Sequence, residues 1–274
     1  MGFARRFLRS RSAVLGLAIL AAVVVVAAAA PLAFPGSPFR RVDRPFLPPL
    51  GRHLLGTDVL GRDVAAGIAH GARTSLLIGV LATAVAVVVG TVTGGVAGYY
   101  GGRIDDVLMR VTEFFQTIPT FLFAIILVAI LTPSIRSIVT AIAVVSWPAV
   151  ARLVRGEFLA MRGREFVLAS ICLGMRDGRI IFRHILPNCL SPIIVTGSLI
   201  VATAILIESA LSFLGLGDPN TMSWGFMIGA GRTFLRSAWW LCTIPGIAIL
   251  LTVLAINLLG EGLNDTLNPR LRNR

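Results

Sequence analysis

AVLGLAILAAVVVVAAAA occupies residues 13–30, an unbroken apolar run of 18 residues that carries no charge. As a helix it reaches about 27 Å, close to the roughly 30 Å hydrocarbon core of a bilayer. The run is longer than the roughly 7–15 residues of a signal-peptide core, and Pro31 sits directly after Ala30, so a retained membrane helix over 12–33 is expected rather than a cleaved leader. Five more apolar stretches follow at 75–98, 107–131, 135–153, 190–213 and 241–260. The expected fold is therefore all-α and polytopic, with about six transmembrane helices.

Composition points the same way. Of 274 residues, 56% are hydrophobic and 14% charged, against about 25% charged in a soluble domain, and the mean hydropathy is +0.86. An ordinary water-soluble enzyme is excluded. All 25 basic residues are arginine, against 13 acidic ones. In so apolar a chain this excess reads as membrane topology and lipid headgroup contact, and no nucleic-acid partner is expected because no polar domain is left to bind one. With the amino terminus in the cytoplasm, 16 arginines fall inside and 9 outside, which favours cytoplasmic N- and C-termini. Cys172, Cys189 and Cys242 stand singly, and His53, His70 and His184 are scattered, so neither a disulfide framework nor a metal site is expected.

Between the first two spans, Pro35, Pro38, Pro45, Pro48 and Pro49 fix an extended external path. Gly56-Thr57-Asp58 then offers an N-cap, and Leu60, Val64, Ile68 and Gly71 fall at helical spacing, which predicts a short amphipathic helix along the outer surface. Gly90, Gly94 and Gly98 form a small-residue seam for close approach of another helix, inside the subunit or in a partner. Pro119, Pro148 and Pro245 allow kinks. Trp224, Trp239 and Trp240 read as an interfacial aromatic belt. Asp105 and Asp106 suit a helix N-terminus, and no neighbouring histidine or serine completes a catalytic set.

The longest internal polar stretch is RLVRGEFLAMRGREFVLASICLGMRDGRIIFRHILPN at 152–188. Phe158, Met161, Phe166, Ala169 and Leu173 can share one apolar flank of a first helix. Gly174 and Gly178 bracket a turn, and Arg179 to Ile185 start a second short helix that Pro187 ends. A solvated loop that pins topology and a docking element for a soluble partner are both open on this pattern.

The stretch resembles the Glu-Ala-Ala loop of permease subunits in bacterial ATP-binding-cassette importers, whose form is E-A-A, three residues, G, nine residues, I-x-L-P. Ala169, Gly174, Leu186 and Pro187 match in register; Leu168, Ser170 and His184 depart. Glu165, one helical turn before Leu168, is a substitute carboxylate on the same face. Further segments at 53–76, 98–119, 208–228 and 239–272 are similar to the peptide and nickel branch, in particular its dipeptide- and oligopeptide-permease C type.

The resemblance implies a type I importer permease. Its divisions are a cytoplasmic tail (1–11), a first transmembrane helix (12–33), an external loop with the short helix (34–73), a five-helix core (74–262) with the coupling loop at 154–188, and a second cytoplasmic tail (263–274). Glu165, Leu168, Ala169, Ser170, Gly174, Arg179, His184, Leu186 and Pro187 would form the ATPase coupling loop. The implied partners are a homologous second permease, two ATP-binding subunits, an extracytoplasmic substrate-binding protein and the lipid bilayer of the bacterial inner membrane. Cargo would be di- or oligopeptides moved by alternating access, with nickel or its chelate as the alternative. The chain binds no cofactor of its own: a phosphate loop needs a lysine and there is none, which leaves ATP and magnesium to the partners. Glu208, in the fifth span, is either a pathway or gate residue or a carboxylate bonded to a neighbouring helix. From other classes, an ATPase-independent carrier or channel would show more intramembrane ionisable residues, and a membrane enzyme would show a clustered catalytic set.

Overall fold

The computed structural model describes Phe7 and residues 10–267, and among these the chain is helical with no strand beyond two isolated bridges in the first loop. Helix α1 spans Arg11–Ala33, α2 Val64–Tyr100, α3 Gly102–Thr117, α4 Thr120–Leu131 and α5 Ile135–Arg162. Two short helices follow, α6 at Glu165–Cys172 and α7 at Asp177–Ile180. A π-turn at Ile181–Ile185 leads into α8 at Leu186–Phe213, then α9 at Trp224–Gly231 and α10 at Trp240–Leu267. Five helices are long and apolar enough to cross a membrane, or six if α3 and α4 make one broken span. The expected tails at 1–11 and 263–274 lie mostly outside the described residues.

The separate surface helix expected near residues 57–71 does not form. Asp63, not the Gly56–Asp58 turn, caps the helix by accepting from Ala65 N at 2.8 Å, and α2 then continues unbroken for 37 residues. That is roughly 55 Å, so its first turns stand clear of a 30 Å hydrocarbon layer. Thr57 turns inward instead: fully buried, it donates to Arg44 O at 2.7 Å and accepts from Leu47 N at 2.9 Å, organising the proline-rich loop around itself. Trp240 Nε1 donates to Thr57 O at 3.3 Å and pins that loop to α10.

Asp43 closes the loop's outer edge. Its carboxylate accepts from Arg44 N at 2.8 Å and faces Arg52 and His53, each at 3.5 Å. The Arg44 N–H foremost, with help from Arg52 and His53 against some desolvation, holds its pKa below the ordinary carboxylate value. A lowered carboxylate stabilises the fold at neutral pH and loses that contribution only as pH falls below about 4. Protease cleavage within residues 40–55 is therefore expected to be constant from pH 7 to 5 and to rise below pH 4. Asp43→Asn should abolish that pH dependence.

The glycine seam closes within the subunit. A Cβ at Gly90 would stand 2.5 Å from Val150 Cβ and one at Gly98 2.7 Å from Arg155 O, while one at Gly94 would run into the Ala151 carbonyl. Helices α2 and α5 therefore touch backbone to backbone. The expected span at 107–131 is two helices that meet at 85° across Ile118 and Pro119. Pro119 has no N–H to continue α3 and instead begins α4.

Pro187 likewise does not end the second helix of the 152–188 stretch. The π-turn at Ile181–Ile185 widens the backbone just ahead of it, and Pro187 then sits in the first turn of α8, where a missing N–H costs little. Asp177–Phe213 runs on as one span. Two of the three belt tryptophans are also corrected. Trp224 and Trp240 are buried, with Trp224 Nε1 donating to Ile68 O at 3.0 Å, and only Trp239 is exposed.

Candidate functional site

Helix α6 and the turn after it form a bracket between α5 and α8. Val167 and Ser170 point inward, and Val167 joins a core with Tyr99, Val154, Phe158, Ile180 and Ile185. Phe158, expected on the bracket's apolar flank, belongs to α5 and is buried against Gly95 and Gly98. The outer flank is apolar yet uncovered: Phe166, Leu168 and Ile171 are exposed, as are Leu173 at 78% and Phe182 at 71%. A cluster of exposed large apolar side chains on so short a helix is a candidate contact surface.

The turn has a defined geometry. Gly174 sits at φ +70, its N–H donates to Ile171 O at 2.9 Å, and Met175 N–H reaches back to Ser170 O at 3.1 Å, closing the end of α6 in a left-handed cap. A Cβ at Gly174 would meet nothing within 4 Å, so the requirement is conformational and not spatial. Gly174→Val is expected to strain this turn by about 1–2 kcal/mol and to speed amide exchange at Met175 without unfolding the bundle.

The other residues of the expected coupling set divide by side. Glu165, in the first turn of α6, and Ala169 are exposed beside Leu168 on the outer flank. Glu165 is in no ion pair among the described residues. Ser170 faces in and spends its hydroxyl on Phe166 O at 2.8 Å. Arg179 is exposed on α7. His184 and Leu186 are half-buried, His184 O accepting from Asn188 Nδ2 at 2.6 Å, and Pro187 is exposed.

Sequence reasoning missed two polar ties near the bracket. Tyr99 Oη donates to Asp177 Oδ1 at 2.8 Å, joining the end of α2 to α7. Arg155 Nε and Nη2 form a two-pronged contact with Asp105 at 2.5 and 2.6 Å, joining α5 to α3. The signal was the clustering of GYYGGRIDD at the end of α2, but nothing in it named the distant partners. Val167 on α6 packs into the core shared by α2, α5 and α8, and the Tyr99–Asp177 bond ties α7, just after the turn, to α2.

Near the opposite end, Glu208 on α8 is 1% exposed. Its Oε1 accepts from Ser212 Oγ at 2.8 Å and Ser223 Oγ at 2.7 Å, and Ser209 Oγ lies 3.5 Å from Oε2. Ser223 in turn accepts from Phe226 N at 3.0 Å and so caps α9. Gly225 and Gly229 let α9 press onto α8: a Cβ there would come 2.6 Å from Ser209 Cα or 2.7 Å from Ser212 O. Glu208 thus fastens the short helix α9 to the span. Among the described residues no group of three or more His, Cys, Asp or Glu side chains is placed to hold a metal ion.

Residues 86–273, which contain both the bracket and Glu208, match the family model described as the inner membrane component of binding-protein-dependent transport systems. The chain belongs to this family. Residues 2–49 of the permease match a second model, the N-terminal transmembrane domain of oligopeptide transport permease C. The permease is 42% identical over 271 residues to the dipeptide transport system permease protein DppC of Alkalihalophilus pseudofirmus, covering 97% of this chain and 88% of that one. It is 41% identical to the di/tripeptide transport system permease protein DppC of Pseudomonas aeruginosa (99% and 92%). It is 37% identical to the oligopeptide transport system permease protein OppC of Bacillus subtilis (97% and 88%). Among solved structures, the inward-facing MetNI methionine ABC transporter matches with a TM-score of 0.60 at 13% identity, over 74% of this chain and 96% of that chain, which is a likeness of fold.

Proposed function

We propose that this permease forms half of the translocation path of an ATP-driven importer of di- and oligopeptides. It pairs with a homologous second permease, and two ATP-binding subunits dock on its bracket. An extracytoplasmic binding protein delivers cargo to the end that carries residues 34–63 and α9. The observation that carries the reading is the uncovered apolar flank of α6, whose inner side packs on α5 and whose following helix α7 is tied to α2 through Tyr99 and Asp177. The arginine distribution supports a bracket on the cytoplasmic side of a bacterial inner-membrane protein with both termini inside.

The chemistry is mechanical. ATP binding closes the soluble subunits, their closure moves the bracket, and the braced helices carry that displacement toward an outward-open arrangement. Hydrolysis and release reverse it. Glu208 keeps α9 seated on α8 at the outer end while the spans tilt. Peptide is preferred to nickel because the relatives named above carry peptide, not nickel, in their names. An autonomous carrier or channel gives no reason for the uncovered bracket.

The test is uptake of a labelled dipeptide by cells with the chain deleted and restored, with excess unlabelled peptide or nickel as competitor. Uptake should depend on the chain and yield to peptide alone. Peptide uptake indifferent to the deletion would refute the reading.

A further inference from the structure

A cavity between two helices is lined mainly by charged side chains of both signs. It has a volume of about 580 Å³ and lies between α3 and α5, lined by Asp106, Met109, Arg110, Glu113, Arg152 and Arg155. Arg155 is occupied by Asp105. Asp106, Arg110, Glu113 and Arg152 are exposed, and no ion pair engages any of them among the described residues.

Their position along the helices bears on what they face. Arg136 and Arg152 are 16 residues apart on α5, about 24 Å along the axis, less than the roughly 30 Å of hydrocarbon. Both guanidiniums cannot lie outside that layer without reaching along their stems. Glu113 lines the same cavity as Arg152, and Phe115, two residues on, packs its ring 5.4 Å from that of Trp147 on α5. A carboxylate has too short a stem to reach out. Unpaired ions at such depth are tolerated only where they face water or protein, not lipid.

We propose that this face of α3 and α5 lines the aqueous inner mouth of the translocation path, and that it holds a peptide by its free termini. Asp106 and Glu113 take the ammonium, and Arg110 and Arg152 take the carboxylate. The inference rests on the peptide-import reading and adds to it the place and chemistry of a cargo contact on this subunit. A cavity lined with both signs of charge suits a zwitterion and gives little to a peptide blocked at both ends.

The test uses inside-out membrane vesicles containing the whole complex. Cys172, Cys189 and Cys242 are replaced, and Met109→Cys serves as the reporter, because Met109 lines the cavity but carries no charge. Val25→Cys on the exposed face of α1 is the lipid control. A charged, membrane-impermeant thiol reagent should label Met109→Cys and leave Val25→Cys unlabelled. Millimolar Ala-Ala should slow that labelling, and N-acetyl-Ala-Ala-amide should not. Adding Glu113→Gln or Arg152→Gln should weaken protection about tenfold, the worth of roughly one charged contact. An unreactive Met109→Cys would show that the second permease or lipid covers this face and would overturn the proposal. So would labelling that no peptide slows, or that the blocked peptide slows equally. Uptake by the same strains separates the two readings: if uptake still depends on the chain, only the cargo contact has failed.

Discussion

Gly94→Val is expected to leave little folded permease in the membrane. Its side chain would have to occupy space held by the Ala151 carbonyl, and Gly90 and Gly98 meet α5 just as closely on either side. Backbone cannot swing aside as a flexible side chain can, so α2 and α5 must separate over several turns. Overpacking of this kind costs about 1–3 kcal/mol or more. Here it also disturbs the contacts of Val150, Val154 and Phe158 that support the bracket. The measurement is the yield and thermal midpoint of detergent-solubilised protein. Gly156→Ala is the control: on the facing helix α5 it has open space around it, so it should match the wild type or be slightly more stable.

The second large effect is expected at Glu208. Glu208→Ala removes the oxygen that takes both the Ser212 and Ser223 hydroxyls and leaves two buried donors without an acceptor. Each such group costs about 1–3 kcal/mol, enough to unseat α9 and lower uptake by about tenfold or more. Glu208→Gln keeps a carbonyl oxygen for the same two hydroxyls and should retain most uptake. Peptide uptake rates beside protease sensitivity of the segment 214–235 would check this. Equal loss in both variants would show that the negative charge itself is needed and that fastening α9 is not the residue's role.

The period and length of apolar runs made the spans legible, because a helix in lipid must satisfy its own backbone and bury or expose one kind of surface throughout. Gly90, Gly94 and Gly98 announced a close approach but not its partner, since α5 is about fifty residues further along the chain. The bend at Pro119 was foreseeable as a kink. The failure at Pro187 was not, because the π-turn that absorbs the missing donor leaves no local composition signal. The surface helix expected at 57–71 instead runs on into the next span, and Gly67 and Gly71 are where Met227 and Trp224 press against α2.

At the site, the resemblance to the importer-permease loop placed Ala169, Gly174, Leu186 and Pro187 in register, and the structure shows Gly174 in the left-handed conformation its turn requires. The division of the bracket into an inward side with Val167 and Ser170 and an uncovered side with Leu168 and Leu173 depends on where α6 lands. That is a tertiary fact. The same holds for Tyr99 with Asp177 and for Asp105 with Arg155, pairs separated by 78 and 50 residues.

The most direct trial of the account is to purify the assembled complex gently with wild-type permease and with Leu173→Asp. Leu173 is 78% exposed and touches no core cluster, so the variant should fold and insert normally. A docked ATPase subunit would instead bury an unpaired carboxylate at a cost of several kcal/mol. The ATP-binding subunits are expected to copurify with the wild type and to be lost from Leu173→Asp, with peptide uptake falling alongside. Retention of those subunits in wild-type proportion with undiminished uptake, or transport by the purified chain alone, would contradict the account.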